Sequence, residues 1–335
     1  MTASAPVISV VIVAYESATT LSRCLAALRG QTFGDFEVLL VDNGSSDGAA
    51  QAAAKADPAI RLIEAGGNIG FAAGNNLAAG QARGQWLALL NPDAYADPDW
   101  LEQLIAATRR WPQIRSFACL QKAADRPGKV DGAGDVLTLA GIPYRGAYGH
   151  DLIALPEGEV FSACGAAHLI SRDLFLQVGG FDERFFCYCE DVDLGYRLRL
   201  LGQVTLFVPQ AVVSHVGSAV LGARSYFALF HGARNRLWLL IKNTPWPLVP
   251  VVALLHLPVL ALLLIMHAVR GEARHARRSR RGSASLARSR RGFCRHRADV
   301  DQSPLDPNEP NGLSPDHSEG HGDQSADLGA PISGD

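Results

Sequence analysis

Four short apolar runs, each followed by a stretch suited to a helix, fill residues 7–110 of this 335-residue chain. Val7-Ile8-Ser9-Val10-Val11-Ile12-Val13 is rich in β-branched residues, the pattern of a strand buried on both faces of a parallel sheet. Thr19 and Thr20 offer N-caps for a helix over residues 21–28. Residues 36–41 read as a second buried strand, stopped by the turn Asp42-Asn43-Gly44, with an Ala-rich helix behind it over 48–56. Residues 60–64 and 86–90 read as two more strands, separated by a helix over 72–83. Asp97-Pro98-Asp99 then opens another helix with proline in its first turn. Strands alternating with helices imply right-handed crossovers and an open α/β sheet. Such sheets bind ligands beyond the carboxyl ends of their strands. The loops after Val13, Val41, Glu64 and Leu90 are therefore the places to look for chemistry.

Composition supports one large folded body and excludes several alternatives. With 48% hydrophobic and 19% charged residues the chain has the means to build a packed core. Its net charge of −2 hides an uneven distribution. Residues 270–300 carry 11 Arg against Glu272 and Asp299, and 301–335 carry eight acids and no Lys or Arg. The body is not a uniformly basic nucleic-acid binder, and no nucleic-acid partner is expected. Six cysteines without a C-x-x-C spacing are not a disulfide framework. Cys187-Tyr188-Cys189 reads as a pair of reduced thiols on or near a strand, with a fragment of a metal site as the alternative. The N-terminus lacks the basic start and long apolar core of a secretion signal, which predicts a cytoplasmic body.

Polar residues gather in the expected loops. Asp42, at a strand end, is placed to accept the imide N–H of uracil or thymine; its bland reading is a turn before a helix cap. Asp93, in Asn91-Pro92-Asp93, is a hard oxygen ligand suited to Mg²⁺ or Mn²⁺ on a pyrophosphate. His215, at the end of a strand-like run, reads as an ordinary core or surface histidine, with a second metal ligand as the other reading. Glu190, Asp191 and Asp193 crowd three carboxylates into the start of a helix that follows aromatic residues. That start complements the helix dipole, and Asp193–Arg197 is an i,i+4 pair. Crowded carboxylates in a half-apolar setting also acquire raised pKa values and serve as bases.

The order of Val10-Val11-Ile12-Val13-Ala14-Tyr15, the stretch 41–48, Gly67-Asn68-Ile69-Gly70-Phe71-Ala72-Ala73-Gly74-Asn75-Asn76, Leu89-Leu90-Asn91-Pro92-Asp93-Ala94, the stretch 179–186, Glu190-Asp191-Val192-Asp193-Leu194 and Ser214-His215 resembles the family 2 (GT-A fold) glycosyltransferases. Within them it looks most like the bacterial rhamnosyltransferase-type branch, over about residues 7–243. The resemblance implies an α/β, GT-A (Rossmann-like nucleotide-binding) fold: an open, mostly parallel sheet with helices on both faces. It implies inverting transfer of a sugar, such as L-rhamnose, from a dTDP- or UDP-sugar to a glycan or lipid-linked acceptor, with Mg²⁺ or Mn²⁺ on the diphosphate. Carried onto this chain, Ala14, Tyr15 and Glu16 would line the nucleoside pocket and Asp42 would bind the base. Asn68, Gly70, Asn75 and Asn76 would shape the donor floor. Asp93 and His215 would hold the metal, Asp191 with Glu190 beside it would be the catalytic base, and Asp182 and Glu183 would face the acceptor. The chain departs from the pattern where the family's D-x-D-like motif is reduced to Asn-Pro-Asp and where Glu16 stands in place of the frequent Asn.

Two other classes compete. One is a non-catalytic scaffold that keeps the fold to bind nucleotide sugars; the other, a nicotinamide-dependent dehydrogenase, is disfavoured because Val13 leads into Ala14-Tyr15-Glu16-Ser17 rather than G-x-G-x-x-G. Residues 244–270 form an apolar segment near bilayer-spanning length, about 20 residues. Pro247, Pro250 and Pro258 argue against one continuous helix there. Arg-rich sequence behind it prefers the side on which the sugar nucleotide lies, so the expectation is peripheral or re-entrant association with the inner membrane face. Residues 271–335 read as a disordered tail, first Arg-rich and then acidic. A homo-oligomer is compatible with the sequence.

Overall fold

The computed structural model describes residues 5–217, 225–262 and 265. The Arg-rich and acidic tail and Cys294 lie outside the described residues.

The first third follows the predicted alternation. Strand β1 (Ile8–Ala14) leads to helix α1 (Leu21–Arg29), β2 (Phe36–Asp42), α2 (Ala49–Ala56), β3 (Ile60–Glu64), α3 (Gly70–Gln81) and β4 (Trp86–Leu90). The four strands pair in parallel in the order β3-β2-β1-β4. Registers Ala14↔Asp42 and Asp42↔Glu64 place their carboxyl ends side by side, so the polar loops meet on one edge. Thr20 stands at the start of α1, but its hydroxyl donates to the Ser17 carbonyl oxygen at 3.3 Å instead of capping the helix.

The sheet then departs from a plain parallel array. After β5 (Ala94–Ala96) and α4 (Trp100–Arg110) come β6 (Ser116–Ala123), β7 (Val130–Ala133), β8 (Asp135–Leu137), β9 (Pro143–Arg145), β10 (Gly158–Val160) and β11 (Ala167–Ser171). Helices α5 (Arg172–Gln177) and α6 (Glu190–Leu200), strand β12 (Thr205–His215) and helix α7 (Tyr226–Asn243) complete the body. The main path reads β10-β12-β6-β11-β4-β1-β2-β3. Strand β11 runs antiparallel between β4 and β6, while β6 and β12 pair in parallel. The architecture is thus a mixed, mostly parallel α/β sheet.

Period-two side-chain alternation divides the core. Ile8, Val10, Ile12 and Ala14 pack with Leu21, Leu25 and Leu28 of α1 and with Leu101 and Leu104 of α4. Val11 and Val13 pack on the other side with Ala72 and Ala78 of α3, Phe175 of α5 and Leu194 and Leu198 of α6. Helices therefore cover both faces, which is why β1 is buried throughout and apolar except for Ser9.

Two expectations are corrected here. Tyr188 and Cys189 lie on a loop of left-handed backbone, φ 73° and 66°, and not on a strand. The five described cysteines are free thiols, as expected. The proline-bearing segment is also more regular than its composition implies: Trp246–Leu262 is one helical run, bent by 120° from α7. Pro247 falls in its first turn, where no amide hydrogen is needed. Among the described residues no single helix is long and apolar enough to cross a membrane; α7 and this run meet that test only as a bent pair.

Candidate active site

The nucleoside end is built from the loops after β1, β2 and β3. Asp42 is buried, and its Oδ1 accepts from Ser45 N at 3.0 Å and its Oδ2 from Gln51 Nε2 at 2.8 Å. Glu16, at φ 46°, turns towards the neighbouring loop, where its Oε1 accepts from Ser46 N at 2.8 Å and Ser46 Oγ at 2.9 Å. Tyr15 is half-buried beside buried Ala14. Asn43 Nδ2 donates to Asn68 Oδ1 at 3.0 Å, and Ile69 N donates to Asn43 Oδ1 at 2.9 Å. This amide pair closes the loop after β2 onto the start of α3. Asp47 Oδ1 accepts from Ala49 N at 3.0 Å, one residue before the Gly48 N-cap of α2.

Asp93 and His215 come together although 122 residues separate them. Pairing of β12 with β5 sets His215 opposite Ala94, and Val216 N donates to the Asp93 carbonyl oxygen at 3.0 Å. As a result His215 Nε2 lies 3.3 Å from Asp93 Oδ1. The other ring nitrogen, Nδ1, is 2.8 Å from Asp131 Oδ2, and Arg145 pairs with the same oxygen. Burial lowers the His215 pKa, but hydrogen bonds to Asp131 and Asp93 outweigh it and hold the imidazole above its usual range. Burial pushes Asp131 up, while His215 and Arg145 pull it below the usual carboxylate range.

These residues fit a divalent cation. A carboxylate oxygen and an imidazole nitrogen stand side by side, and a second carboxylate fixes the orientation of the ring, an arrangement that orients histidine ligands. No group of three or more His, Cys, Asp or Glu side chains able to hold a metal forms among the described residues. A cation held by one or two protein ligands takes others from substrate phosphates and water, as Mg²⁺ sites do.

The predicted base faces a cavity of about 490 Å³, lined in part by Phe71, Asn91, Asp135, Gly165, Glu190 and Asp191. Gly165 N donates to Asp191 Oδ2 at 2.9 Å, and Val192 N donates to Oδ1 at 2.8 Å. Asn91 N, on the loop that leads to Asp93, donates to the Ala166 carbonyl oxygen at 3.0 Å. Residues 164–166 therefore connect the metal-binding candidates to the base candidate. Burial raises the Asp191 pKa despite the two backbone donors and nearby Arg145. Burial and then the Asp191 charge raise Glu190 and Asp135 well above the usual carboxylate range. The sequence expectation that these crowded acids hold their protons more tightly is met at Glu190 and Asp191.

Asp191 follows a loop bearing three non-glycine residues at positive φ, Phe186, Tyr188 and Cys189. Asn235 of α7, fully buried, holds this loop by directing its Nδ2 at the carbonyl oxygens of Phe185, Cys187 and Tyr188 at 2.9, 2.9 and 2.7 Å. Gly70 fits against it at φ +89°; a Cβ there would stand 2.6 Å from the Phe186 ring and 2.7 Å from its carbonyl oxygen.

The remaining predicted residues are engaged in contacts behind or beside the cavity. Asn75 Nδ2 donates to the Phe71 carbonyl oxygen at 2.9 Å. Asn76 clasps the loop before α6, donating to the Phe181 carbonyl oxygen at 2.8 Å and Glu183 Oε1 at 3.0 Å. Asp182 is held by Arg184 at 2.6 Å and Lys242 at 2.7 Å, and these partners pull its carboxyl far below the usual range. Asp182 and Glu183 are absent from the cavity lining. Asp193 is fully buried and bonded to Arg197, Lys242 and Asn243, a tie between α6 and α7. Sequence reasoning missed Asp131, Asp135, Arg145 and Asn235, which lie on short strands or on α7 without any local signal.

Comparison with known proteins bears on the family and the fold. The family model for glycosyl transferase family 2 matches residues 9–126. The chain is 35% identical over 233 residues to the N-acetylglucosaminyl-diphospho-decaprenol L-rhamnosyltransferase of Mycobacterium tuberculosis, which covers 62% of this chain and 76% of that protein. It is 30% identical over 263 residues to the O-antigen biosynthesis protein RfbC of Myxococcus xanthus, 72% of this chain but 20% of that longer protein. Among solved structures, GalNAc-T7 with UDP, GalNAc and Mn²⁺ superposes with a TM-score of 0.56 at 17% identity, over 71% of this chain and 48% of that one. The mannosyltransferase PcManGT of Pyrobaculum calidifontis, in complex with GDP-Man and Mn²⁺, gives 0.51 at 18% identity, over 80% and 81%. These structural likenesses show the GT-A fold. With that fold, the family match and the rhamnosyltransferase relative together, the chain belongs to glycosyl transferase family 2.

Proposed function

We propose that this glycosyltransferase is an inverting enzyme that moves a deoxyhexose such as L-rhamnose from a dTDP- or UDP-sugar onto a lipid-linked glycan at a membrane surface. The observation that carries the reading is the link through residues 164–166, which brings Asp191 on one side and Asp93 with His215 on the other to a common region of the sheet edge. In this reading Ala14, Tyr15 and Glu16 bound the nucleoside pocket and Asp42 receives the imide N–H of the base. Asn68 and Gly70 set the donor floor, while Asn75 and Asn76 hold the helix and loop that support it. The loop of Asp182 and Glu183 borders the acceptor side.

A divalent cation, Mg²⁺ or Mn²⁺, would be held by Asp93 and His215 and would supply charge neutralisation for the departing diphosphate. Asp131 orients the His215 ring. Asp191 takes the proton from the acceptor hydroxyl as that oxygen bonds to the anomeric carbon. The bond from that carbon to the diphosphate oxygen breaks with its electrons leaving on the nucleoside diphosphate, so configuration inverts. A raised carboxyl pKa makes Asp191 a better proton acceptor than an exposed carboxylate. Glu190, raised further, adds to the acidic wall behind it.

Membrane association rests on the exposed apolar residues Trp246, Leu248, Val251, Leu254, Leu257 and Leu262. The Arg-rich sequence that follows would favour anionic lipid. The test is transfer from dTDP-rhamnose in Mn²⁺ to a GlcNAc-diphospho-lipid, with the anomeric configuration of the product read by NMR. Inverted product that disappears in Asp191→Asn supports the reading; retained configuration, or turnover that survives the substitution, overturns it.

A further inference from the structure

The same cavity that holds Asp191 has a second wall, made by α7. Ala228, Leu229, Gly232, Ala233 and Arg236 line it. Spacings of three and four residues put Leu229, Gly232, Ala233 and Arg236 on one face of the helix. The small side chains at 228, 232 and 233 leave room beside the guanidinium. Arg236 is half-buried, and its Nε donates to the Gly232 carbonyl oxygen at 3.1 Å. That bond leaves Nη1 and Nη2 available, and among the described residues no carboxylate pairs with Arg236.

Neighbouring arginines are differently employed. Arg234 is spent on the carbonyl oxygens of Arg184 and Phe185, Arg197 on Asp193, and Arg145 on Asp131. A guanidinium without an anion, half-removed from water and lining a cavity, is a site suited to an anionic part of a ligand. Alongside the cavity face, Tyr226, Phe230, Leu237 and Ile241 form an exposed apolar stripe at helical spacing. It leads towards the bend and the apolar run Trp246–Leu262.

We propose that Arg236 is the acceptor anchor: it binds the diphosphate of a polyisoprenyl-diphosphate-linked glycan, whose sugar hydroxyl reaches Asp191 and whose lipid leaves over the apolar stripe of α7. This rests on the reading that the acceptor is lipid-linked, and it adds the residue that selects for the diphosphate. Bidentate hydrogen bonding suits arginine to this task, and a lysine would replace it only in part. The competing source of the same chemistry is the diphosphate of the donor nucleotide.

Calorimetric titration of the full-length protein with farnesyl diphosphate, and separately with dTDP in Mn²⁺, distinguishes the two. The proposal expects the wild type to bind both. Arg236→Gln should weaken farnesyl diphosphate at least tenfold and leave dTDP within twofold, and Arg236→Lys should recover part of the loss. Ala233→Glu, which adds a negative charge on the cavity face without removing a packed group, should weaken farnesyl diphosphate as well. Unchanged farnesyl diphosphate binding in Arg236→Gln and Ala233→Glu overturns the proposal, as does an equal loss of dTDP. A wild type that binds dTDP but not farnesyl diphosphate defeats this inference alone. One that binds neither farnesyl diphosphate nor dTDP, nor UDP in Mn²⁺ in its place, defeats the reading it rests on too.

Discussion

Asn235 Nδ2 donates to the Tyr188 carbonyl oxygen at 2.7 Å, and through this contact α7 holds the loop from which the helix of Asp191 begins. Left-handed backbone at Phe186, Tyr188 and Cys189 costs about 1–3 kcal/mol per residue. Such a loop persists only where its surroundings over-determine it. Asn235 does this for three carbonyl groups with one buried amide. Asn235→Ala should lower stability by about 2–4 kcal/mol, since buried acceptors lose their partner. It should also lower kcat more than donor affinity. Urea unfolding and steady-state kinetics measure the two effects.

Gly70 provides a second check on the same loop. Both its positive φ and its approach to Phe186 exclude a side chain. Gly70→Ala should destabilise the protein by about 2–4 kcal/mol through overpacking and strain, and Phe186→Ala in that background should return part of the loss. A Gly70→Ala protein with wild-type melting temperature would show that the approach is looser than described.

At the other end of the sheet, Glu37 accepts from Ser9 Oγ at 2.7 Å, Arg83 N at 2.8 Å and Arg83 Nε at 2.9 Å. Burial pushes its carboxyl up, but these donors outweigh burial and hold the pKa below the usual value. The native state therefore stays ionised at a pH where the unfolded chain takes up a proton. The stabilisation is present above the unfolded value, about 4.3, and is lost as pH falls through the native value. Glu37→Gln should cost about 1–3 kcal/mol at pH 7, and the deficit should shrink at about pH 3. Denaturant titrations at the two pH values give the comparison.

Asp191 makes the opposite shift, and as the proposed base it should set the acid limb of the rate profile. A base must be deprotonated to work, so kcat/KM should rise with pH through a midpoint above the ordinary Asp value of about 3.9. A midpoint at or below that value would mean that burial does not tune this carboxylate.

Much of the proposed donor side was legible because local patterns encode it. The strands Ile60–Glu64 and Trp86–Leu90 follow directly from their apolar runs, and parallel pairing places Asp42 and the Asn91 loop on one edge. Insertion of β11 between β4 and β6 was not legible, since Ala167↔Leu90 joins residues 77 apart and leaves no local period. For the same reason Asp131 and Arg145 have no signature in the sequence: Asp131 gains its role from contact with His215 and Arg145 from its pairing with Asp131, not from spacing. Asn235 looks like an ordinary polar helix residue until the loop it holds is in place. The helical run Trp246–Leu262 is not legible from its prolines: Pro247 falls in the first turn, where it interrupts nothing, and Pro258 is accommodated within the run.

The bent apolar pair offers a test that is independent of catalysis. Leu254→Asp with Leu257→Asp, both exposed, should reduce cosedimentation with vesicles of anionic phospholipid at least fivefold and leave the melting temperature within a few degrees. Equal binding by the variant would overturn the proposal that this apolar run contacts a membrane.

The most direct test of the account is single-turnover transfer from dTDP-rhamnose to a GlcNAc-diphospho-lipid in Mn²⁺, comparing wild type with Asp191→Asn and following donor binding in the same samples. Asp191→Asn should bind dTDP-rhamnose as wild type does and lose transfer by about 10²–10⁴-fold, the range for a general base. Transfer at the wild-type rate by Asp191→Asn would contradict the assignment of the base and, with it, the proposed mechanism.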